Sequence, residues 1–195
     1  MRLPYTPNPP PVSSDPEEAS IVQRIQARRH PRPLQPLDLT LLHSPAVADG
    51  WNSFLGAIRT RTTSIPADLR EIAISRVAVV NRAWYEWMHH APLAVAAGVG
   101  ERGMETVKRD GALDVEEEGF GGLSEKQWVV LCYADEMTRN VEVNDKTFQR
   151  LRGVMESEKE VVEITAIVAA YNCVSRFLVA LDVGEKNGVG PDAAH

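Results

Sequence analysis

The distribution of proline constrains this chain most. Ten of its 13 prolines fall in the first 45 residues, leaving only Pro66, Pro92 and Pro191 beyond them. Proline removes a backbone donor and breaks helix interiors, so the first 45 residues cannot be regular helix for long, whereas the remainder is free to be. The chain divides into a Pro-rich arm and a body. With 195 residues and 44% apolar content, the body is large enough to bury a core of its own and reads as one domain.

Helix signals recur along the chain. Asp15 before Pro16, Glu17 and Glu18 combines a capping carboxylate, proline at the first helical position and acids at the positive end of the dipole. This helix is expected to run to Arg29. Ser44 and Pro45 repeat the start signal for a helix to about Arg61, and Ile65 with Pro66 opens a third. Between Ile72 and Val80 the third helix is apolar nearly all round, apart from Ser75 and Arg76, which marks it as buried. Residues 84–97 follow, with Pro92 inside and Gly98 as a left-handed stop. A short helix is expected over 101–110, then an acidic, Gly-rich loop over 114–122. Ser124/Gln127 and Ser157/Glu160 fit the capping box and start helices to about Arg139 and Asp182, with Asn144 capping a short helix between them. No stretch alternates as a strand does. The fold class is all-α, with seven or eight helices.

The net charge of −6 is spread without long single-sign runs, and no basic stripe is interleaved with aromatics, which argues against a nucleic-acid partner. The uncharged stretch between Glu86 and Glu101 is too short for a bilayer and holds two histidines and a proline, so no membrane partner is expected. The start of the chain shows neither a signal nor a transit pattern. Cys132 and Cys173 lack a Cys-x-x-Cys partner and suit reduced, buried thiols in a cytoplasmic protein. The cluster Arg28, Arg29, His30 and Arg32 reads as a solvated helix end.

Ionisable residues in the buried helices are the candidates for chemistry: Glu71, Glu86 and His90, with His89 alongside. Four residues make nearly one helical turn, so Glu86 and His90 share a face, while His89 points about 100° away and pairs with Tyr85. A carboxylate beside an imidazole in apolar surroundings can exchange protons near neutral pH, or can be an ordinary structural pair. Glu86-x-x-His89 also matches one element of di-iron helical bundles. Those sites need a second such element and two further glutamates, and no second element occurs, so no metal is expected.

The run LREIAISRVAVVNRAWYEWMHHAPLAVAAGV (69–99), with LLHSPAVADGW (41–51) before it and YNCVSRFLVALDV (171–183) near the end, resembles the carboxymuconolactone decarboxylase and AhpD-like superfamily. The resemblance implies an AhpD-like domain over 38–186, preceded by an arm with one helix over 1–37 and followed by a disordered tail over 187–195. It implies a homo-oligomer, for which an extended arm suits crossing a subunit boundary, and it implies catalysis without a cofactor. Peroxidase relatives carry Cys-x-x-Cys-x-x-x-His after an earlier glutamate. Here His90 and Glu71 match, but the two cysteine positions are Ala83 and Glu86, which can neither attack nor resolve a disulfide. The decarboxylase branch fits better: a small carboxylated lactone or enolisable substrate, His90 as proton donor, Glu86 as its orienting partner or the base, and Glu71 as a second acid/base group. Trp84, Tyr85, Trp87 and His89 would line the substrate pocket. A non-catalytic ligand-binding or scaffold role is the alternative.

Overall fold

A computed structural model describes residues 1–61 and 64–193. Among the described residues the chain is all-α, with nine α-helices, joined by short 3₁₀ turns. It divides into two compact units: Met1–Arg61 with Leu181–Glu185, and Thr62–Ala180 with Lys186–His195.

The first unit holds α1 (Pro16–Arg29), α2 (Pro36–Leu41) and α3 (Pro45–Thr60), with α1 packed on α3. Asp15 caps α1 through the Glu17 N–H, as its sequence predicts. Ser44 occupies the cap position of α3, but its hydroxyl makes no capping bond. The six-residue α2 gave too little periodicity to be seen in the sequence. Its buried Asp38 accepts from the Gln35 N–H and pairs with Arg28 and with Arg29 (Nε–Oδ2, 2.7 Å). Two members of the basic cluster thus anchor a buried carboxylate instead of forming a merely solvated end. The arm is tied to its own chain: the Arg2 N–H donates to the Leu181 carbonyl, Tyr5 OH donates to Glu185, and His43 Nε2 lies 2.6 Å from the Pro4 carbonyl.

The second unit is built around α4 (Ala67–Val80). It packs against α5 (Trp84–Ala96), α6 (Glu101–Lys108) and α7 (Glu125–Asn140), and its residues from Glu71 to Val79 are all buried. The remaining helices are α8 (Asp145–Val154) and α9 (Glu158–Leu181). By length and hydropathy α9 is apolar enough to cross a membrane, yet Val161, Ile164, Ile167, Val168, Tyr171 and Leu178 are buried within the protein. The Ser124/Gln127 box forms in both directions. At α9 the Glu160 N–H bonds to Ser157 Oγ, but the glutamate reaches back to the Glu156 N–H instead of that of Ser157. Gly98 ends α5 at φ +98°, where the Gly98 and Val99 N–H groups donate to the Val95 and Ala94 carbonyls. Of the expected tail, Asn187 donates to the Val179 carbonyl and Asp192 meets Lys108 at 2.8 Å; residues 194 and 195 lie outside the described residues.

A second inward charge on α4 explains why α6 stops at Lys108, short of the expected 110. The fully buried guanidinium of Arg76 takes the Val107, Arg109 and Gly111 carbonyls at 2.9, 2.6 and 2.8 Å, along with Asp135 at 2.7 Å. Asp135 in turn accepts from Arg139 and from the Leu113 N–H. The loop leaving α6 is thus shaped by one cation. Arg76→Ala takes the donor from the Val107 and Arg109 carbonyls, while Gly111 keeps its bond from Arg139, and breaking a buried pair in this way costs about 3–5 kcal/mol. Equilibrium denaturation of the variant is expected to show a loss of that order.

Candidate active site

The α4–α5 hairpin carries the candidate residues. Three residues, Asn81–Ala83, connect the helices, and so short a connection makes them antiparallel neighbours. The Ala83 N–H donates to the Ala78 carbonyl at 2.8 Å next to the turn. Further from the turn, His90 Nδ1 lies 2.7 Å from Glu71 Oε2, both side chains being buried. These two contacts fix the register of the hairpin.

The sequence paired His90 with Glu86; the structure pairs it with Glu71. Side chains four apart on one helix lie side by side and both aim at the facing helix, where the Glu71 carboxylate is held in place. Arg70 does the holding, with its Nε 3.0 Å from Glu71 Oε1. Arg70 was not singled out from the sequence, although its position immediately before Glu71 was the available signal. The His90 ring packs edge-on against Tyr171 of α9, with centroids 4.9 Å apart.

Glu86 differs in every respect. It is 2% exposed, and neither carboxyl oxygen has a hydrogen-bond partner in the structure. Ser75, on the facing helix and fully buried, has an unpartnered hydroxyl as well. Buried polar groups are nearly always satisfied, so two exceptions on one hairpin require a reason.

Electrostatics separates the two glutamates. Burial pushes the Glu71 carboxyl upward, but the His90 hydrogen bond and charge, with Arg70 assisting, outweigh it and leave Glu71 below its ordinary value. Burial alone acts on Glu86 and holds it well above the ordinary carboxylate range. The two carboxyls are therefore displaced in opposite directions, Glu71 on α4 toward the ionised form and Glu86 on α5 toward the neutral one. Because ionised Glu71 can only accept, His90 Nδ1 carries the proton of that bond, and in the neutral ring Nε2 keeps the lone pair.

The remaining predicted residues surround this pair unevenly. Tyr85 and Trp87 are buried, while Trp84 and His89 are half-buried. His89 stacks edge-on against Tyr85, with centroids 4.6 Å apart, as the helical spacing indicated. Among the described residues no group of three His, Cys, Asp or Glu side chains gathers as metal ligands. The cysteines are both free: burial pushes the Cys132 thiol up, and Cys173 is exposed on α9 rather than buried as expected.

The sequence model of the Carboxymuconolactone decarboxylase family matches residues 45–115, the segment that contains α3 to α6 and all the candidate residues. An uncharacterised peroxidase-related protein from Ralstonia eutropha JMP134 with an alkylhydroperoxidase AhpD core superposes with a TM-score of 0.71 at 19% identity, over 97% of this chain and 96% of that one. The chain has the AhpD-like fold, and its residues 45–115 are similar to the Carboxymuconolactone decarboxylase family. A peroxidase-related protein from Silicibacter sp. TM1040 gives a TM-score of 0.70 at 15% identity, covering 95% of each chain. A variant of the debrominase Bmp8 in complex with 2,3,4-tribromopyrrole gives 0.68 at 18%, over 92% of this chain and 89% of that one. At these identities the likeness is one of fold. No curated protein matches the sequence. Within the AhpD-like fold, the positions that resemble the thiol motif hold Ala83, at the start of α5, and the buried acid Glu86.

The opposite protonation of the two glutamates gives opposite pH dependences. Glu86, raised in the fold, favours folding at low pH and loses that contribution as pH rises from 4.5 through its folded value. Glu71, lowered in the fold, favours folding above 4.5 and loses that contribution as pH falls through its folded value. Denaturation midpoints across pH are expected to decline from 4.5 toward neutrality in the wild type. Glu86→Gln is expected to abolish that decline, and Glu71→Gln the one on the acid side. An unchanged slope in Glu86→Gln contradicts the assignment.

Proposed function

We propose that the α4–α5 site performs cofactor-independent acid/base chemistry, decarboxylation or isomerisation, on a small carboxylated lactone or enolisable molecule. The observation that supports this best is the split between the two glutamates. Environments that drive neighbouring titratable groups apart are how one site holds an acid and a base-supporting anion at the same pH. The family-model match supports the same reading, since the matched segment contains Glu71, Glu86 and His90.

Each residue has a distinct task in this reading. His90 handles the proton on carbon. Glu71 fixes the His90 tautomer and stabilises the imidazolium, as a buried carboxylate does behind a catalytic histidine. Glu86, neutral, donates to the oxygen on which charge accumulates. In isomerisation, His90 Nε2 takes a proton from the carbon next to the carbonyl, the C–H electron pair passes into the conjugated system, and the protonated ring, after exchange with solvent, delivers a proton to a more distant carbon. In decarboxylation the bond to the carboxylate breaks, its electron pair enters the lactone, and protonated His90 delivers the proton to carbon. Neither sequence changes a redox state.

The experiment is proton bookkeeping in heavy water. Carboxylated butenolides are incubated with the protein and followed by NMR for CO₂ loss and deuterium at carbon. The wild type is expected to turn over at least one of them. Glu86→Leu, which removes the donor, and His90→Gln, which removes the imidazole, are expected to lower the rate by about 10²–10⁴-fold with unchanged helicity. Deuteration that survives both substitutions, or none in the wild type, overturns the catalytic reading in favour of a ligand-binding protein.

A further inference from the structure

Ser75 is the residue on this hairpin whose state remains unexplained. It lies one turn beyond Glu71 on α4, and Glu86 lies one turn before His90 on α5. The register is fixed on either side of them, by the Ala78–Ala83 hydrogen bond near the turn and by the Glu71–His90 contact further out. Between two fixed points of an antiparallel hairpin, Ser75 and Glu86 fall at one level of the register. Both are at least 98% buried and neither is bonded to the other or to any other group in the structure. A hydroxyl and a carboxyl left unpartnered in a dry interior each carry a desolvation cost that a third group placed between them would relieve.

We propose that Ser75 Oγ and the Glu86 carboxyl form a two-point site for the carbonyl oxygen of a neutral lactone or enone. A hydroxyl and an un-ionised carboxyl each have one proton to donate, and a carbonyl oxygen has two lone pairs to accept them. The preference follows from the same count. A carbonyl is received by two donors, whereas an ammonium group has no acceptor charge to meet while Glu86 is neutral. The site deepens the acid/base reading above and rests on it. With the oxygen held at the Ser75–Glu86 level, the adjacent carbon faces the next turn of the hairpin, where His90 sits. As His90 removes the proton, the electron pair moves onto that oxygen, and both donors strengthen their bonds to it. Donors that gain in this way act on the transition state more than on the bound substrate. Ser75 is then a residue that touches the reacting carbonyl, although nothing in its side-chain type distinguishes it in the sequence.

The test uses butenolide labelled with carbon-13 at the carbonyl, titrated into the full-length protein and observed by NMR. Two donors draw electron density from the carbonyl carbon, so a downfield shift on binding is expected in the wild type. Ser75→Ala is expected to lose roughly half of that shift, Ser75→Cys to retain part of it, and Glu86→Leu to lose the rest. Because Ser75→Ala deletes an unpartnered hydroxyl, it is expected to fold with an unchanged or higher Tm, which separates binding from stability. In turnover, Ser75→Ala is expected to lower kcat by about tenfold or more while KM changes less. No binding of butenolide by the wild type, a shift indifferent to Ser75, or an ordered water that stays between the two side chains with butenolide present overturns the proposal. The two readings fail separately. Deuteration that depends on Glu86 and His90 without a Ser75-dependent shift removes the carbonyl site alone, and a Ser75-dependent shift without deuteration removes the catalysis alone.

Discussion

The burial of α4 on every side governs the second unit. From Glu71 to Val79 the helix, packed against α5, α6 and α7, offers no water to its polar side chains, so each one must find a partner inside or remain without. Arg76 finds Asp135 and three carbonyls, and in doing so ends α6 and shapes the loop that follows. Asn81 donates to Asn172 and Ser175 and joins the end of α4 to α9. Glu71 finds His90 and Arg70. Ser75 finds nothing, and across the hairpin neither does Glu86.

This pattern separates structural from functional polarity within one helix. A satisfied buried ion pair is compatible with a purely architectural role, and Arg76 fits that description in full. Unsatisfied groups lower stability without contributing to the fold, and sites that sacrifice stability are where activity is ordinarily found. The Glu71–His90 pair stands between the two classes. It pins the hairpin, and it also leaves one imidazole nitrogen with its lone pair and an anion behind the ring. Rigid placement on two packed helices gives such groups better-defined positions than a loop would.

Much of this was legible in the sequence, because helix signals are local. Asp15, Ser124, Asn144 and Gly98 announce ends through their own backbone chemistry, and those ends are where the sequence put them. The near-total burial of α4 was visible in its lack of a polar face. What failed was non-local. The end of α6 depends on Arg76, 32 residues before Lys108, and no periodicity carries that information. The partner of His90 was misassigned because helical spacing tells which side chains are adjacent on one helix, while the hydrogen bond is decided by what the facing helix presents. Asp38 turned a cluster of basic residues into an anchor in the same way. Ser75 was read only as an interruption of an apolar run, since a serine on a buried helix usually satisfies itself locally.

The central claim is that two buried glutamates on facing helices, Glu71 of α4 and Glu86 of α5, differ in charge at neutral pH, the first ionised and the second not. Infrared spectroscopy of the protein in heavy water observes this directly, because a protonated carboxyl absorbs apart from a carboxylate. At neutral pH a band of un-ionised carboxylic acid is expected in the wild type, absent in Glu86→Gln and present in Glu71→Gln. A neutral-pH spectrum without that band, or a band removed by Glu71→Gln instead, contradicts the account.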